Sequence, residues 1–233
     1  MANNLVKMTR SAYNTAKSNR TLVTPNVALI SDEGSVEFLP INPISDIGIA
    51  SYESGQKKYY SLAQWNALEE KPTAVGVYVF TENAQFVIHG TINTGVKWSD
   101  NTSVVVDGCT FTTQQAQALL DFAGAANSQA VLDAVSGGDI TNAPLFSWAA
   151  GLSFASGVTP YIPSAGELEL IRLNLTEINA CRAALGQDPI VFEGKNIWSS
   201  TQYNASNAWL WYSSRWRDYN KTGTYYGLAV GAL

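Results

Sequence analysis

The sequence predicts an α+β protein. Three observations point there: strand–turn–strand patterns in the first third, helices opened by hydroxyl-bearing caps in the middle, and an aromatic final stretch that returns to strands and loops. A hydrophobic share of 46% over 233 residues is enough for a packed core. That length fits one large domain, or one of about 150 residues with a smaller partner.

The first 20 residues are polar and basic with few large apolar groups, and read as a flexible or partner-ordered arm. Next, Asn26 to Ile30 and Val36 to Leu39 flank Ser31-Asp32-Glu33-Gly34-Ser35, a hairpin signal in which Gly supplies a positive φ. Beyond Pro40 and Pro43, Ser61 can cap a helix over Leu62 to Glu70, stopped by Lys71-Pro72. A boundary is placed there, dividing residues 1–71, a small β-rich region for attachment or oligomerisation, from residues 72–233.

In the larger part, Ala74 to Phe80 and Gln85 to Ile88 form a second hairpin around Thr81-Glu82-Asn83-Ala84. Thr112 or Thr113 can cap a helix to Phe122, and Ser128 another over Gln129 to Val135, ended by Ser136-Gly137-Gly138. The clearest start is Ser164-Ala165-Gly166-Glu167, whose Ser-x-x-Glu spacing lets each side chain satisfy the other's backbone donor. Leu168, Leu170 and Ile171 give that helix an apolar face, and a further helix through Ile178, Ala183 and Leu185 ends at Gly186.

The last 36 residues before the terminal Leu, Ile197 to Ala232, differ in kind. Between Ile197 and Tyr226 stand nine of the chain's 18 Trp and Tyr residues, separated by Ser, Asn and Thr, with only Ile197 and Leu210 of the usual core-strand aliphatics. Rigid amphipathic rings among adaptable hydrogen-bonding groups make a contact surface, as in antibody paratopes. Trp198 and Trp209 are expected to be buried, whereas Trp216 and Tyr219, flanked by Arg215, Arg217, Asp218 and Asn220, are expected to face outward.

Only 14% of residues are charged, against roughly 25% in an average domain, so Ser, Thr, Asn, Gln and Gly must cover much of the surface, as suits extracellular or virion proteins. A net charge of −5 argues against nucleic acid as a partner. Arg215, Arg217 and Lys221 make the tail mildly basic, compatible with an acidic or glycan-like ligand. Lys7, Arg10, Lys17 and Arg20 come without the apolar stretch of a secretory signal, so export by that route is not expected. No stretch approaches the roughly 18 apolar residues of a membrane span, so no membrane insertion is expected.

Tyr161-Ile162-Pro163-Ser164-Ala165-Gly166-Glu167-Leu168, followed by Ile178-Asn179, Gly186, Trp198-Ser199-Ser200-Thr201 and Ala208-Trp209, resembles one family. These residues are similar to the C-type lectin-fold variable proteins of diversity-generating retroelements, in the branch related to formylglycine-generating enzymes, as in gut Bacteroides and their phages. The resemblance spans roughly residues 72–233 and implies a C-type lectin-like fold preceded by the small N-terminal region. In that family a reverse transcriptase mutagenises template adenines, so that Asn codons diversify into Tyr, Ser, Asp, Thr, Gly and similar residues on one exposed patch. The variable region would then be 197–232, with Trp198, Ser199, Ser200, Thr201, Ala208 and Trp209 as fixed scaffold. Ligand contacts would come from Tyr203, Asn204, Ser206, Asn207, Trp211, Tyr212, Ser214, Arg215, Trp216, Asp218, Tyr219, Asn220, Thr222, Thr224 and Tyr225. One departure stands out: the family closes on a Val-Arg-Pro-Val type strand, and this chain has Gly227-Leu228-Ala229-Val230.

The resemblance implies a phage tail-fibre tip that recognises a bacterial surface protein or glycan, joined to other virion proteins through its N-terminal region and assembled as a homo-oligomer, a trimer by analogy. The alternative setting is a chromosomally encoded binder at the cell surface or in the cytoplasm. A third reading, a glycan-active enzyme using Glu167 and Glu169, competes with the capping role of Glu167. No catalytic, metal or cofactor site is expected. His89 is the sole histidine, and Cys109 and Cys181 lie 72 positions apart, matching neither a metal spacing nor a disulfide framework. The enzymes of the related branch use paired cysteines near the C-terminus, and the tail after Cys181 has none. The Glu-Pro-Asn, Gln-Pro-Asp and Trp-Asn-Asp motifs with which animal-type C-type lectins hold calcium are absent too.

Overall fold

A computed structural model of the protein describes residues 5–8, 27–30, 37–40, 46–101 and 103–233. They fall into two compact units, residues 1–46 with 80–83, and residues 47–79 with 84–233. The first holds three short strands, β1 (Leu5–Met8), β2 (Val27–Ile30) and β3 (Glu37–Pro40). β1 runs parallel to β2, and β2 pairs antiparallel with β3, Val27 opposite Pro40 and Ile30 opposite Glu37. That pair is the expected first hairpin; its turn lies outside the described residues. So does most of the expected arm, of which Leu5–Met8 is a strand.

The second unit opens with β4 (Asp46–Glu53) and β5 (Gln56–Tyr60), joined by Ser54 and Gly55 at positive φ, as a two-residue hairpin requires. Helix α1 (Leu62–Ala67) follows, with Ser61 and Gln64 in a reciprocal capping box. It stops before the expected Glu70, where Leu68 turns to extended backbone, and the Lys71 ammonium donates to the freed carbonyls of Trp65 and Leu68. The sequence assigned residues 47–71 to the N-terminal region; here Ile47, Ile49 and Trp65 belong to the core of the larger unit.

β6 (Ala74–Phe80) and β7 (Gln85–Lys97) form the second hairpin. β7 runs past the expected Ile88 because the final strand pairs along its whole length, Ala232 opposite Phe86 and Thr224 opposite Lys97. α2 (Gln115–Ala118) is one turn rather than a helix to Phe122, closed by tight bonds from the Leu120 and Asp121 amides to the Gln117 and Ala118 carbonyls. α3 (Gly124–Gly137) begins before Ser128, whose hydroxyl accepts from the Ile162 amide instead of capping. Gly124 is required there, because a Cβ would stand 2.1 Å from Glu167 Oε2. α4 (Pro144–Ala150), with Pro in its first turn, had no counterpart in the sequence reading.

After the short β8 (Pro160–Tyr161), α5 (Ala165–Leu173) starts at the expected Ser164/Glu167 capping box. α6 (Leu175–Ala184) runs to Leu185, and Gly186 takes a left-handed φ of 66°. The tail then makes β9 (Asn196–Gln202), β10 (Asn207–Tyr212), β11 (Arg215–Asn220) and β12 (Thr224–Ala232).

One mixed sheet unites the second unit in the order β11-β10-β9-β12-β7-β6-β4-β5, with β8 against β12. β12 meets β9 in parallel, while its pairing with β7 and the β9–β10–β11 meander are antiparallel. Strand alternation divides the core between two faces. Ile197, Trp209, Leu228 and Val230 join Leu168, Ile171 and Ile178 of α5 and α6. Their chain neighbours Trp198, Leu210 and Ala229 join Val131 of α3 and Leu145 and Phe146 of α4. Helices plus a mixed sheet make the protein α+β.

Candidate functional site

The β10–β11 hairpin stands at the edge of the sheet, and its register sorts the tail into two rows. Asn207, Trp209 and Trp211 lie opposite Asn220, Asp218 and Trp216; Ala208, Leu210 and Tyr212 lie opposite Tyr219, Arg217 and Arg215. The turn between them is Ser213-Ser214, with Ser213 at a positive φ.

The first row is an anchor. Trp211 and Trp216 meet edge to face at 6.1 Å. The Trp211 indole donates to the Phe192 carbonyl at 3.2 Å, and the Trp216 indole donates to Glu169 Oε2 at 2.9 Å. Arg172 grips the same carboxylate with two hydrogen bonds and lies 4.7 Å over the Trp211 ring. Trp216 is only 6% exposed and Trp211 8%. The expectation that these two contact a ligand is thereby corrected: both indoles are buried, with their N–H groups bonded to the Phe192 carbonyl and to Glu169 of α5. Trp198 and Trp209 are buried as expected, donating to Val96 and Thr112 carbonyls.

Lys221 is corrected as well. It is 1% exposed, with its ammonium donating to the Val104 carbonyl and Gln202 Oε1 and lying 4.6 Å over the Trp98 ring. Burial pushes its pKa down to about 8. It fixes the 104–106 loop and adds nothing to the surface charge of the tail.

Several other candidate positions brace turns. Asn204 Oδ1 accepts from the Ser206 and Asn207 amides, Asn207 donates to Asp218 at 2.7 Å, and Asn220 Oδ1 accepts from the Thr222 amide and hydroxyl. Tyr203 packs edge-on against Trp209. What faces solvent is Ser214, Arg215, Tyr219, Asn220 and Thr224, with Tyr212 and Tyr225 half-buried beside them. The structure adds Arg217, exposed in the same row as Arg215 and Tyr219. The period-two spacing 215, 217, 219 was the signal for it.

The tyrosines form one cluster. Tyr212 stacks on Tyr219 with centroids 5.5 Å apart and planes 9° from parallel, and Tyr225 meets Tyr219 edge-on at 5.3 Å. Tyr225 also packs on buried Trp198 at 5.2 Å, which ties the cluster to the core. Burial, then the hydrogen bond with Tyr219, holds the Tyr225 hydroxyl well above the usual phenol range, so it stays neutral.

The other polar groups read from sequence are structural. His89 Nδ1 accepts from the Thr91 amide, so Nε2 carries the proton toward the Ser153 carbonyl. Cys109 and Cys181 are buried thiols pushed up to about 12 and about 11 by desolvation. Glu167, 3% exposed, accepts from the Ser164 amide and the Tyr161 hydroxyl, and burial raises it to about 7. Burial alone would raise Glu169 too, but its bonds from Arg172 and Trp216 prevail and lower it. A groove of about 620 Å³ lies elsewhere, floored by Ile92, Ile197, Tyr226 and Leu228 with Lys195 over Tyr226; none of the candidate contact residues lines it. Among the described residues, no helix is long and apolar enough to cross a membrane.

No protein-family description matches this chain, and no curated protein matches it. The fold is similar to that of a fimbrial protein from Bacteroides ovatus ATCC 8483, known from a crystal structure, with a TM-score of 0.50 and 16% identity. The likeness covers 88% of this chain and 50% of that one, so this chain spans about half its length.

Proposed function

We propose that this protein is a non-enzymatic adhesin whose C-type lectin-like domain binds a bacterial surface molecule through the outer face of the β10–β11 hairpin. One observation carries the reading: Trp209, Trp211 and Trp216 are buried and fix the hairpin, while Ser214, Arg215, Arg217 and Tyr219, at its turn and along its edge strand, face solvent. A rigid frame with changeable outward residues is what a diversified contact surface needs, because substitutions there leave the core untouched. On the resemblance to retroelement variable proteins, the surface would be diversified and the chain would stand at the tip of a phage tail fibre, as an oligomer, with its N-terminal region as the attachment part. Avidity would then multiply weak single contacts. The likeness to a fimbrial protein favours a second setting for the same activity, the bacterial cell surface.

Two measurements test this. Purified protein should label intact Bacteroides cells of a responsive strain in flow cytometry, and Tyr212→Ser with Tyr219→Ser should weaken labelling about tenfold while leaving the unfolding midpoint in place. Labelling that survives the double substitution would place the contact elsewhere. Sibling copies of the gene should differ at Tyr212, Ser214, Arg215, Arg217, Tyr219 and Thr224 and share Trp198, Trp209, Trp211, Trp216 and Lys221. Differences spread evenly over the chain would end the diversification part of the reading.

A further inference from the structure

Arg215, Arg217 and Tyr219 form the outer row of β11, which is the edge strand of the sheet. Alternate residues on a strand are roughly 7 Å apart, so the two guanidinium groups start from neighbouring points on one face. Both are exposed, and among the described residues neither has an ion-pair partner. In a chain of net charge −5, this is a local concentration of free cations beside the Tyr212, Tyr219 and Tyr225 rings. Guanidinium forks match carboxylates in two-point geometry, and a Tyr ring offers both an apolar face and a hydroxyl.

We propose that this surface takes an acidic saccharide: a polymer whose sugar rings carry carboxylates, paired with Arg215 and Arg217 and seated against the tyrosine cluster. This rests on the adhesin reading and narrows the ligand class. An acidic protein partner is disfavoured by what the patch lacks. Specific protein interfaces centre on Trp, Tyr and Arg side chains set in well-packed, fully desolvated surroundings. Of the large apolar side chains in the tail, only Tyr219, at 40%, is strongly exposed, and its neighbours Ser214 and Thr224 are small and polar. A polar, cationic, ring-bearing surface fits a hydroxyl-rich anionic ligand.

Isothermal titration of the full chain against polygalacturonate, alginate and hyaluronate tests the assignment, with methyl-esterified polygalacturonate and poly-glutamate as comparators. Saturable binding to at least one carboxylated polysaccharide is expected. Poly-glutamate should bind about tenfold more weakly than that polymer, and, where the polymer is polygalacturonate, so should its ester. R215Q/R217Q should cost a similar factor, and Y219S a smaller one, with both variants retaining the wild-type melting curve. No saturable binding to any of the three, equal binding to poly-glutamate, or indifference to R215Q/R217Q would each overturn the proposal. Cell labelling that persists without competition from these polymers would overturn it while leaving the adhesin reading standing. Polymer binding by a protein that labels no cells would do the reverse.

Discussion

Asp121→Ala is expected to destabilise the protein by about 4 kcal/mol. The side chain is 6% exposed and accepts from four donors: the Thr110 hydroxyl at 3.2 Å, the Ala123 amide at 2.9 Å, Asn127 Nδ2 at 2.9 Å and the Thr201 hydroxyl at 2.6 Å. Its backbone carbonyl also receives the Ser164 hydroxyl and the Gly166 amide. Thr201 in turn accepts from the Ala165 amide. One residue thus binds the start of α5 to β9 and the approach to α3. Alanine would leave four donors without this acceptor, of which Asn127 Nδ2 and the Thr201 hydroxyl are buried, and each buried orphan costs about 1–3 kcal/mol before relaxation. Asp121→Asn, which keeps the shape but turns one oxygen into a donor among donors, should cost roughly half as much. For a chain of this size the alanine variant should melt about 8–16 °C lower. A shift under 3 °C in scanning calorimetry would show that the network is dispensable.

The second large effect is on pH dependence. Glu167 titrates near 7 in the folded protein against 4.5 for the free side chain, because burial penalises its charged form. The folded state therefore binds more protons than the unfolded state between those values, and stability must fall as pH rises. The contribution is complete below about 4.5 and lost through about 7, worth about 3 kcal/mol over the interval. Lys221 acts with the opposite sign at higher pH. Its pKa is depressed to about 8 from 10.5, so the folded state holds fewer protons there and stability recovers as pH climbs. Chemical denaturation from pH 5 to pH 9 should pass through a minimum near pH 7.5; above about 9 the raised Cys109 and Cys181 thiols reverse the recovery, because there the folded state holds their protons longer than the unfolded state does. Glu167→Gln, which keeps the capping geometry without the charge, should flatten the acid limb and spare the alkaline rise. Parallel profiles for the two proteins would mean that Glu167 ionises without penalty.

What could be read in the sequence was local. The Ser164/Glu167 box, the left-handed Gly186 and the strand-rich tail are written in residues a few positions apart, and each is found where expected. β7 runs on to Lys97 only because β12, more than a hundred positions later, supplies its partner. The Asp121 hub joins residues 80 positions apart, and nothing local marks that aspartate for burial. Trp216 misled for a different reason. Its charged neighbours Arg215 and Arg217 suggested an exposed stretch, yet on an edge strand alternate residues face opposite ways, so flanking charges speak for the other face. The same alternation would have set Arg217 beside Tyr219. The candidate surface was therefore legible as a segment and became legible as a face only with the register.

β12 lies between β9 and β7, in the middle of the sheet. Residues 224–232 thus complete the core after the β10–β11 hairpin has been made. During synthesis the earlier strands wait with their inner edges open until those residues leave the ribosome. A stop codon anywhere in the hairpin would delete the sheet's central strand, and the shortened chain would be left to proteolysis.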